Sequence, residues 1–195
     1  NLRIVPILSR FRQTYPGVAL DVRLTDEVVD LIGQGIDIAI RSGPLRSSEL
    51  KSIRLYETRR VIVASQQYVA AFGTPNQPED LTDHNWVMYS RVPETLRLAQ
   101  GDQERKIPVS GSVQVDSATA RLQFLRDGHG MAVVPFSDVA DDIVNGDLMR
   151  ILPDWNLPDL SVYAVYSGDV MRSSKVKTLL DFLRAQLADI DESRH

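Results

Sequence analysis

The tightest constraint on this chain is a rhythm: apolar runs of strand length alternate with stretches whose apolar residues recur at helical spacing. Val5, Leu8, Phe11 and Tyr15 fall on one helical face around Pro6, which suits a first helical turn, and Pro16-Gly17 stops that helix. Val18, Leu20, Val22 and Leu24 then alternate with Ala19, Asp21 and Arg23, the period of a half-buried strand. Thr25-Asp26 offers a cap for a helix carrying Val28, Val29, Leu31 and Ile32 that ends near Gly33–Gly35, and Ile36–Ile40 reads as a buried strand. A β-α-β order of this kind predicts a mostly parallel sheet in an α/β protein.

The rhythm resumes after a loop rich in Ser, Pro and charge at Ser42–Ser48. Arg59–Ser65 reads as a strand, Gln67–Phe72 as a short helix, Glu79–His84 as a turn and Trp86–Tyr89 as a strand, with an excursion or hairpin over Arg91–Gln103. Lys106–Val109 and Ser112–Val115 are short strands. Ser117 opens a helix carrying Ala120, Leu122, Phe124 and Leu125, and Gly128 closes it. Met131–Val134 is an apolar strand, Ser137 caps the next helix, and Leu148–Leu152 and Ser161–Tyr166 supply further strands. The last helix, Lys175–Leu187, places Val176, Leu179, Leu180, Leu183 and Leu187 on one face.

Composition narrows the function. At 195 residues the chain is long enough for one large domain or two lobes with separate cores. Its formal net charge of -4 lacks the basic excess that phosphate neutralisation asks of a nucleic-acid binder. With no cysteine, disulfide scaffolds, thiol nucleophiles and Cys-bearing zinc sites are excluded, and that composition fits the cytoplasm. Apolar runs such as Val61–Ala64 are too short to cross a bilayer. The sequence begins at Asn1 rather than Met, so a segment upstream of it is expected.

Signals for catalysis are missing. His84 sits in a turn beside Asp83, His129 lies between Gly128 and Gly130, and His195 is terminal; none has a second ligand at metal spacing. There is no G-x-S-x-G elbow, Walker loop or dinucleotide fingerprint, and the Asp141-Asp142 pair reads as a helix surface. No catalytic residue, metal or cofactor is expected.

Several segments, in a fixed order, resemble the regulatory domain of LysR-type transcriptional regulators. They are Val5-Pro6-Ile7-Leu8-Ser9-Arg10-Phe11 with Tyr15-Pro16-Gly17-Val18; Asp26-Glu27-Val28-Val29-Asp30-Leu31-Ile32; and Gly35-Ile36-Asp37-Ile38-Ala39-Ile40-Arg41-Ser42-Gly43, the most specific of them. Ser47-Ser48-Glu49-Leu50, Leu55, Val61–Ser65, Tyr68, Pro78-Glu79-Asp80-Leu81 and His84 follow, then Val115-Asp116-Ser117, Gly128–Pro135 and Gly146-Asp147-Leu148. Two departures stand out. The family's first strand and its DNA-reading winged helix-turn-helix would precede Asn1, and Leu96 replaces a tryptophan common near that place in the closest subgroup.

The resemblance implies a two-lobed α/β fold of the periplasmic-binding-protein type (type II), each lobe a mostly parallel sheet flanked by helices, with two crossover strands. It puts lobe I at residues 1–64 with 165–195 and lobe II at 65–164. A small-molecule effector is expected between the lobes, beyond the carboxyl ends of the strands. Those ends bring Thr25, Asp26, Arg41, Ser42, Ser65, Gln66, Asp116, Ser117, Pro135 and Phe136 as ligand-binding candidates. Helix starts near Asp26, Ser117 and Ser137 aim free N–H groups that favour anions, and Arg41 suits a bidentate carboxylate clamp. Asp26 and Asp116 oppose an anion there, and the plain reading of Thr25, Asp26, Asp116 and Ser117 is helix capping. The implied protein is not an enzyme; it is a cytoplasmic sensor that pairs as a dimer or tetramer, antiparallel, through helices at Pro6–Tyr15 and Ser117–Asp127. It reaches DNA only through the upstream domain and has no membrane role. The rival with the same fold is the solute-binding protein of a transport system.

Overall fold

The computed structural model describes residues 4–27, 29–43, 50–90 and 93–192. The chain divides into two compact units, Asn1–Glu57 with Leu160–His195 and Thr58–Asp159.

The first unit opens with α1 (Ile4–Thr14), close in extent to the expected helix, but its buried stripe is Ile4, Ile7 and Phe11, and Val5 and Tyr15 of the expected face are exposed. Its sheet has strand order β1-β10-β2, from β1 (Ala39–Ser42), β2 (Lys51–Thr58) and β10 (Leu160–Tyr166). The β1·β10 pair is antiparallel, with Arg41 opposite Tyr163 and Ser42 opposite Val162. The final helix, α5 (Ser174–Glu192), lays Val176, Leu180, Leu183 and Leu187 into the core that Ile4, Ile7, Leu55 and Ala164 share. Each apolar face is buried by the other elements of the same unit, the arrangement that a 3.6-residue apolar period exists to serve.

Two expected elements of this unit do not form. Residues 18–25 hold no ladder, and Val22 and Leu24 are 48% and 68% exposed. Period-2 alternation stabilises a strand only when a neighbour accepts its backbone groups, and none does among the described residues. The helix expected from Thr25-Asp26 is reduced to a turn at 31–35. There the Asp30 carboxylate accepts the N–H groups of Ile32 and Gly33 at 3.2 and 3.1 Å, a local bond that competes with helical pairing. Val28 and residues 44–49, which include most of the Ser42–Ser48 loop and the Ser47-Ser48-Glu49 match, lie outside the described residues.

The second unit is built on a mixed sheet. Its strands are β3 (Arg60–Ser65), β4 (Val87–Tyr89), β7 (Val113–Val115), β8 (Ala132–Pro135) and β9 (Leu148–Ile151). β4 and β7 pair in parallel, and a parallel bridge joins Trp86 to Met131 at the start of β8. β3 runs antiparallel to both β8 and β9. Four of these strands therefore point one way and β3, the strand on which the chain enters the unit, points the other. The mostly parallel sheet expected from the sequence holds in direction for β4, β7, β8 and β9; β3 is antiparallel to its neighbours, as β1 is to β10 in the first unit.

Alternation along β3 separates two cores. Ile62 and Ala64 face a cluster with Trp86, Leu96, Leu98, Ile107 and Ile151, while Val61 and Val63 face Leu125, Val134 and Val139. The first face is covered by the hairpin of β5 (Thr95–Gln100) and β6 (Gln103–Pro108), turning at Gly101 with φ 55. This is the hairpin allowed for after Tyr89; Arg91 and Val92 lie outside the described residues. Leu96, in the tryptophan's place, is 4% exposed in that core. The second face is covered by α3 (Ala118–Arg126) and α4 (Phe136–Asn145). Between β3 and β4 lie α2 (Gln66–Phe72) and a 3-10 turn, Pro78–Asp83.

Both covering helices end alike. His129 N–H donates to Phe124 C=O and Gly128 N–H to Leu125 C=O after α3, and Asp147 and Gly146 donate to Asp142 and Ile143 after α4. Each closure turns through a left-handed glycine, with φ 78 at Gly128 and 82 at Gly146.

Candidate functional site

Strand direction decides which of the expected residues share an edge. In the second unit β4, β7 and β8 end together, so Asp116, Ser117, Pro135 and Phe136 lie along one edge of the sheet. Because β3 is antiparallel, Arg60 rather than Ser65 stands opposite Pro135. Ser65 and Gln66 therefore sit at the other edge, where Ser65 pairs with Leu148 and the Gln66 N–H faces the Asp147 carbonyl at 3.4 Å. Their expected place beside Pro135 and Phe136 is corrected by this reversal: a carboxyl strand end joins the others only if the strand runs their way.

Local chemistry explains each position. Ser117 caps α3, its hydroxyl accepting the Ala120 N–H at 3.4 Å. Asp116 beside it is exposed. α4 begins at Phe136, two residues before the start that a cap at Ser137 implies, with Pro135 as the cap residue and Ser137 inside the helix. Phe136 gives its N–H to the Arg59 carbonyl at 2.9 Å and leaves its ring 38% exposed. Ser65 is a buried cap whose hydroxyl accepts the Tyr68 N–H at 3.2 Å.

In the first unit Thr25 is exposed and its hydroxyl accepts the Glu27 N–H at 3.1 Å, a turn bond rather than a helix cap. Asp26 is half-buried, Ser42 is exposed at the end of β1, and Arg41 reaches back to the Val29 carbonyl at 2.7 Å. Arg41 thus ties the end of β1 to the segment that follows Thr25 and Asp26, and these residues form the first unit's candidate edge.

Two features escaped the sequence. Arg121 is 5% exposed, donates to the Val133 carbonyl at 3.0 Å and sits 4.4 Å from the centroid of the Tyr89 ring. Its own N–H bonds the Ser117 carbonyl, so a buried cation lies one helical turn behind the candidate edge. A single Arg inside an apolar helical pattern carries no mark that tells it from a solvated one. The second feature is a cavity of about 530 Å³ beside β3 and β9, walled by the 152–159 loop. A smaller hollow of about 260 Å³ lies at the Ser65–Gln66 edge, around the bidentate Arg126–Asp142 pair with both bonds at 2.9 Å. That pair raises the Arg126 pKa and half-buries Asp142, which the sequence had placed on an open surface.

The histidines hold no metal arrangement among the described residues. His84 is half-buried, not solvated, with Nδ1 3.2 Å from the Tyr68 hydroxyl. That hydroxyl accepts the Asn85 N–H at 2.9 Å, and burial raises its pKa. No described helix is long and apolar enough to cross a membrane.

A sheet with two helices starting along one strand-end edge is a frame for binding a ligand, and the comparisons give its family: the chain belongs to the LysR substrate binding domain family, whose model matches residues 1–188. It is 30% identical over 186 residues to the HTH-type transcriptional regulator PtxR of Pseudomonas aeruginosa, covering 94% of this chain and 60% of that protein. It is likewise 30% identical to the HTH-type transcriptional activator AaeR of Escherichia coli, again spanning 60% of the relative. The chain therefore spans about 60% of the length of these curated relatives. Among solved structures, the regulatory domain of CrgA, a LysR-type transcriptional regulator from Neisseria meningitidis, superposes with a TM-score of 0.84 at 26% identity. That match covers 94% of this chain and 91% of the CrgA domain. The fold is that of LysR regulatory domains.

Proposed function

We propose that this chain is the effector-sensing part of a LysR-type transcriptional regulator, its two units serving as the two lobes of the regulatory domain. The observation that carries the reading is the family match over residues 1–188, in a chain that spans about 60% of regulators built on the same domain. The remainder of such a protein would hold the DNA reader.

The effector we assign is a small molecule with an anionic group. Two helices begin at the second unit's edge, after Ser117 and Pro135, and their dipoles favour negative charge there, although the Phe136 N–H is taken by the Arg59 carbonyl and the Ala120 N–H by the Ser117 hydroxyl. The buried Arg121 adds positive potential behind Ser117, while Asp116 subtracts from it. Ser117, Pro135 and Phe136 are the contacts assigned in this unit, Phe136 offering an aromatic face. In the first unit Thr25, Asp26, Arg41 and Ser42 are assigned from the equivalent edge. Binding that favours one arrangement of the lobes shifts an oligomer between states that present the DNA-reading parts differently, without turnover of the ligand.

The test begins upstream of the codon for Asn1. A winged helix-turn-helix encoded there supports the reading, and an export signal overturns it in favour of a transport receptor. A thermal-shift screen of small carboxylates on the 195-residue chain then reads effector binding directly.

A further inference from the structure

The cavity of about 530 Å³ lies where β3 begins and β9 ends, against the 152–159 loop. Its floor is apolar: Ile62, Ile151, Leu152 and Leu157 are buried, and Trp155 is half-buried against it. Its rim is cationic, with Arg59, Arg60 and Arg150 against the single carboxylate of Asp159.

Arg60 is the central group. It shares the face of Ile62 by strand alternation, so its side chain leaves the sheet on the cavity side. Its Nε donates to the Pro158 carbonyl at 2.6 Å, and neither terminal nitrogen has a hydrogen-bond acceptor among the described residues. Burial lowers its pKa, with Asp159 pulling the other way. A partly desolvated fork with both ends open is complementary to a carboxylate.

The wall of the cavity is held open by construction. Asn156 exchanges two backbone bonds with Ala99 of the hairpin at 2.8 and 2.9 Å, and Arg150 donates to the Pro153 carbonyl at 3.1 Å. Leu152 turns the corner with φ 49, the one positive φ of a residue other than glycine among the described residues. A bulky residue in the left-handed region is strained, and such strain persists where the surroundings impose it, often around a ligand.

We infer that the second unit carries its own small-molecule site, in which Arg60 holds the anionic head of an amphiphilic monoanion and the Ile62–Leu152–Trp155 floor receives its apolar body. The volume lies within the range of about 300–1,000 Å³ usual for small-molecule pockets. A ligand that touches the floor as well as Arg60 is expected to bind more tightly than inorganic phosphate, which gains nothing from the floor. The site adjoins the Pro135–Phe136 end of the strand-end edge, because Arg60 pairs with Pro135, but its lining holds none of the residues assigned to the effector there, and it does not rest on the regulator reading.

Trp155 makes the site observable. The chain has two tryptophans, and Trp86 is 2% exposed in the core, so ligand contact falls on Trp155. Hexanoate, hexanamide and inorganic phosphate would each be titrated into the 195-residue chain while tryptophan emission is followed. The expected result is a saturable change with hexanoate alone, weakened at least about tenfold in Arg60→Gln, the order expected for losing a charge-assisted bond. Equal response to hexanamide, equal affinity for phosphate, no saturation, or an unchanged affinity in Arg60→Gln overturns the inference. If Arg60→Gln fails to fold by circular dichroism, Asp159→Asn decides: removing the opposing charge tightens hexanoate binding, and an unchanged affinity overturns the site.

Discussion

Replacing Ser65 by alanine separates two roles that a serine at a strand-helix junction can have, ligand contact and helix cap. Its hydroxyl is 3.2 Å from the Tyr68 N–H and the residue is 3% exposed. Losing an N-cap costs about 0.5–2 kcal/mol, and a buried N–H that water cannot reach places this one near the top, at about 2 kcal/mol. Ser117→Ala removes a longer bond, 3.4 Å, at a half-buried position where water can substitute, so its cost is about 0.5–1 kcal/mol. For a chain of this length each kcal/mol moves Tm by about 2–4 °C, which predicts losses of about 4–8 °C and about 1–4 °C. Thermal melts by circular dichroism measure both, with urea unfolding at unchanged m as the check that the unfolded state is the same. Effector affinity should fall in Ser117→Ala and hold in Ser65→Ala. If Ser65→Ala melts within about 1 °C of the parent, the cap carries no stability and the reasoning from burial and distance fails.

Other perturbations test other parts of the structure. Leu152→Gly should be at least as stable as Leu152→Ala when the two are unfolded in urea: both lose the buried side chain, but only glycine relieves the left-handed backbone, by about 1 kcal/mol. The Glu57 carboxylate accepts the Ser161 hydroxyl at 2.7 Å, which lowers its pKa below 4.5, with Arg54 adding to the effect against partial desolvation. A lowered folded-state pKa stabilises above the unfolded value, so the deficit of Glu57→Gln relative to the parent should be full at pH 7 and close as pH falls below about 4. A deficit that stays the same at every pH from 7 down through the acid range would contradict this. Asp142→Ala breaks the bidentate pair linking α3 to α4 and should cost about 1 kcal/mol, with part of the loss disappearing in high salt.

Element type was legible where apolar period and tertiary burial agree. α1, α2, α3, β4 and the Val113–Val115 strand follow from spacing and punctuation, although in α1 the core takes Ile4, Ile7 and Phe11 and leaves Val5 and Tyr15 of the expected face exposed. β2 was missed for the opposite reason: Lys51-Ser52-Ile53-Arg54 carries charge and serine on a strand that is exposed along its first half, and only β10 beside it shows that it belongs to a sheet. The stretch 18–24 has the better strand pattern and no ladder. Pairing is a property of two segments, and alternation in one of them describes half of it.

The candidate site shows the same division more sharply. Residue types at the ends of strands could be read from the chain, and so could the capping chemistry of Ser65 and Ser117. Strand direction could not. Ser65-Gln66 and Pro135-Phe136 have the same local form, an apolar strand running into a helix. Taken alone, each predicts a helix start at a carboxyl strand end, where ligands of open α/β sheets gather. The antiparallel register of Arg60 with Pro135 sends one of the two to the opposite edge. The same reversal brings the beginning of β3 to the edge where β8 and β9 end. Arg60 is thereby set against the 152–159 loop, and a position that sequence reasoning passed over as the ordinary start of a strand becomes the cation of a cavity.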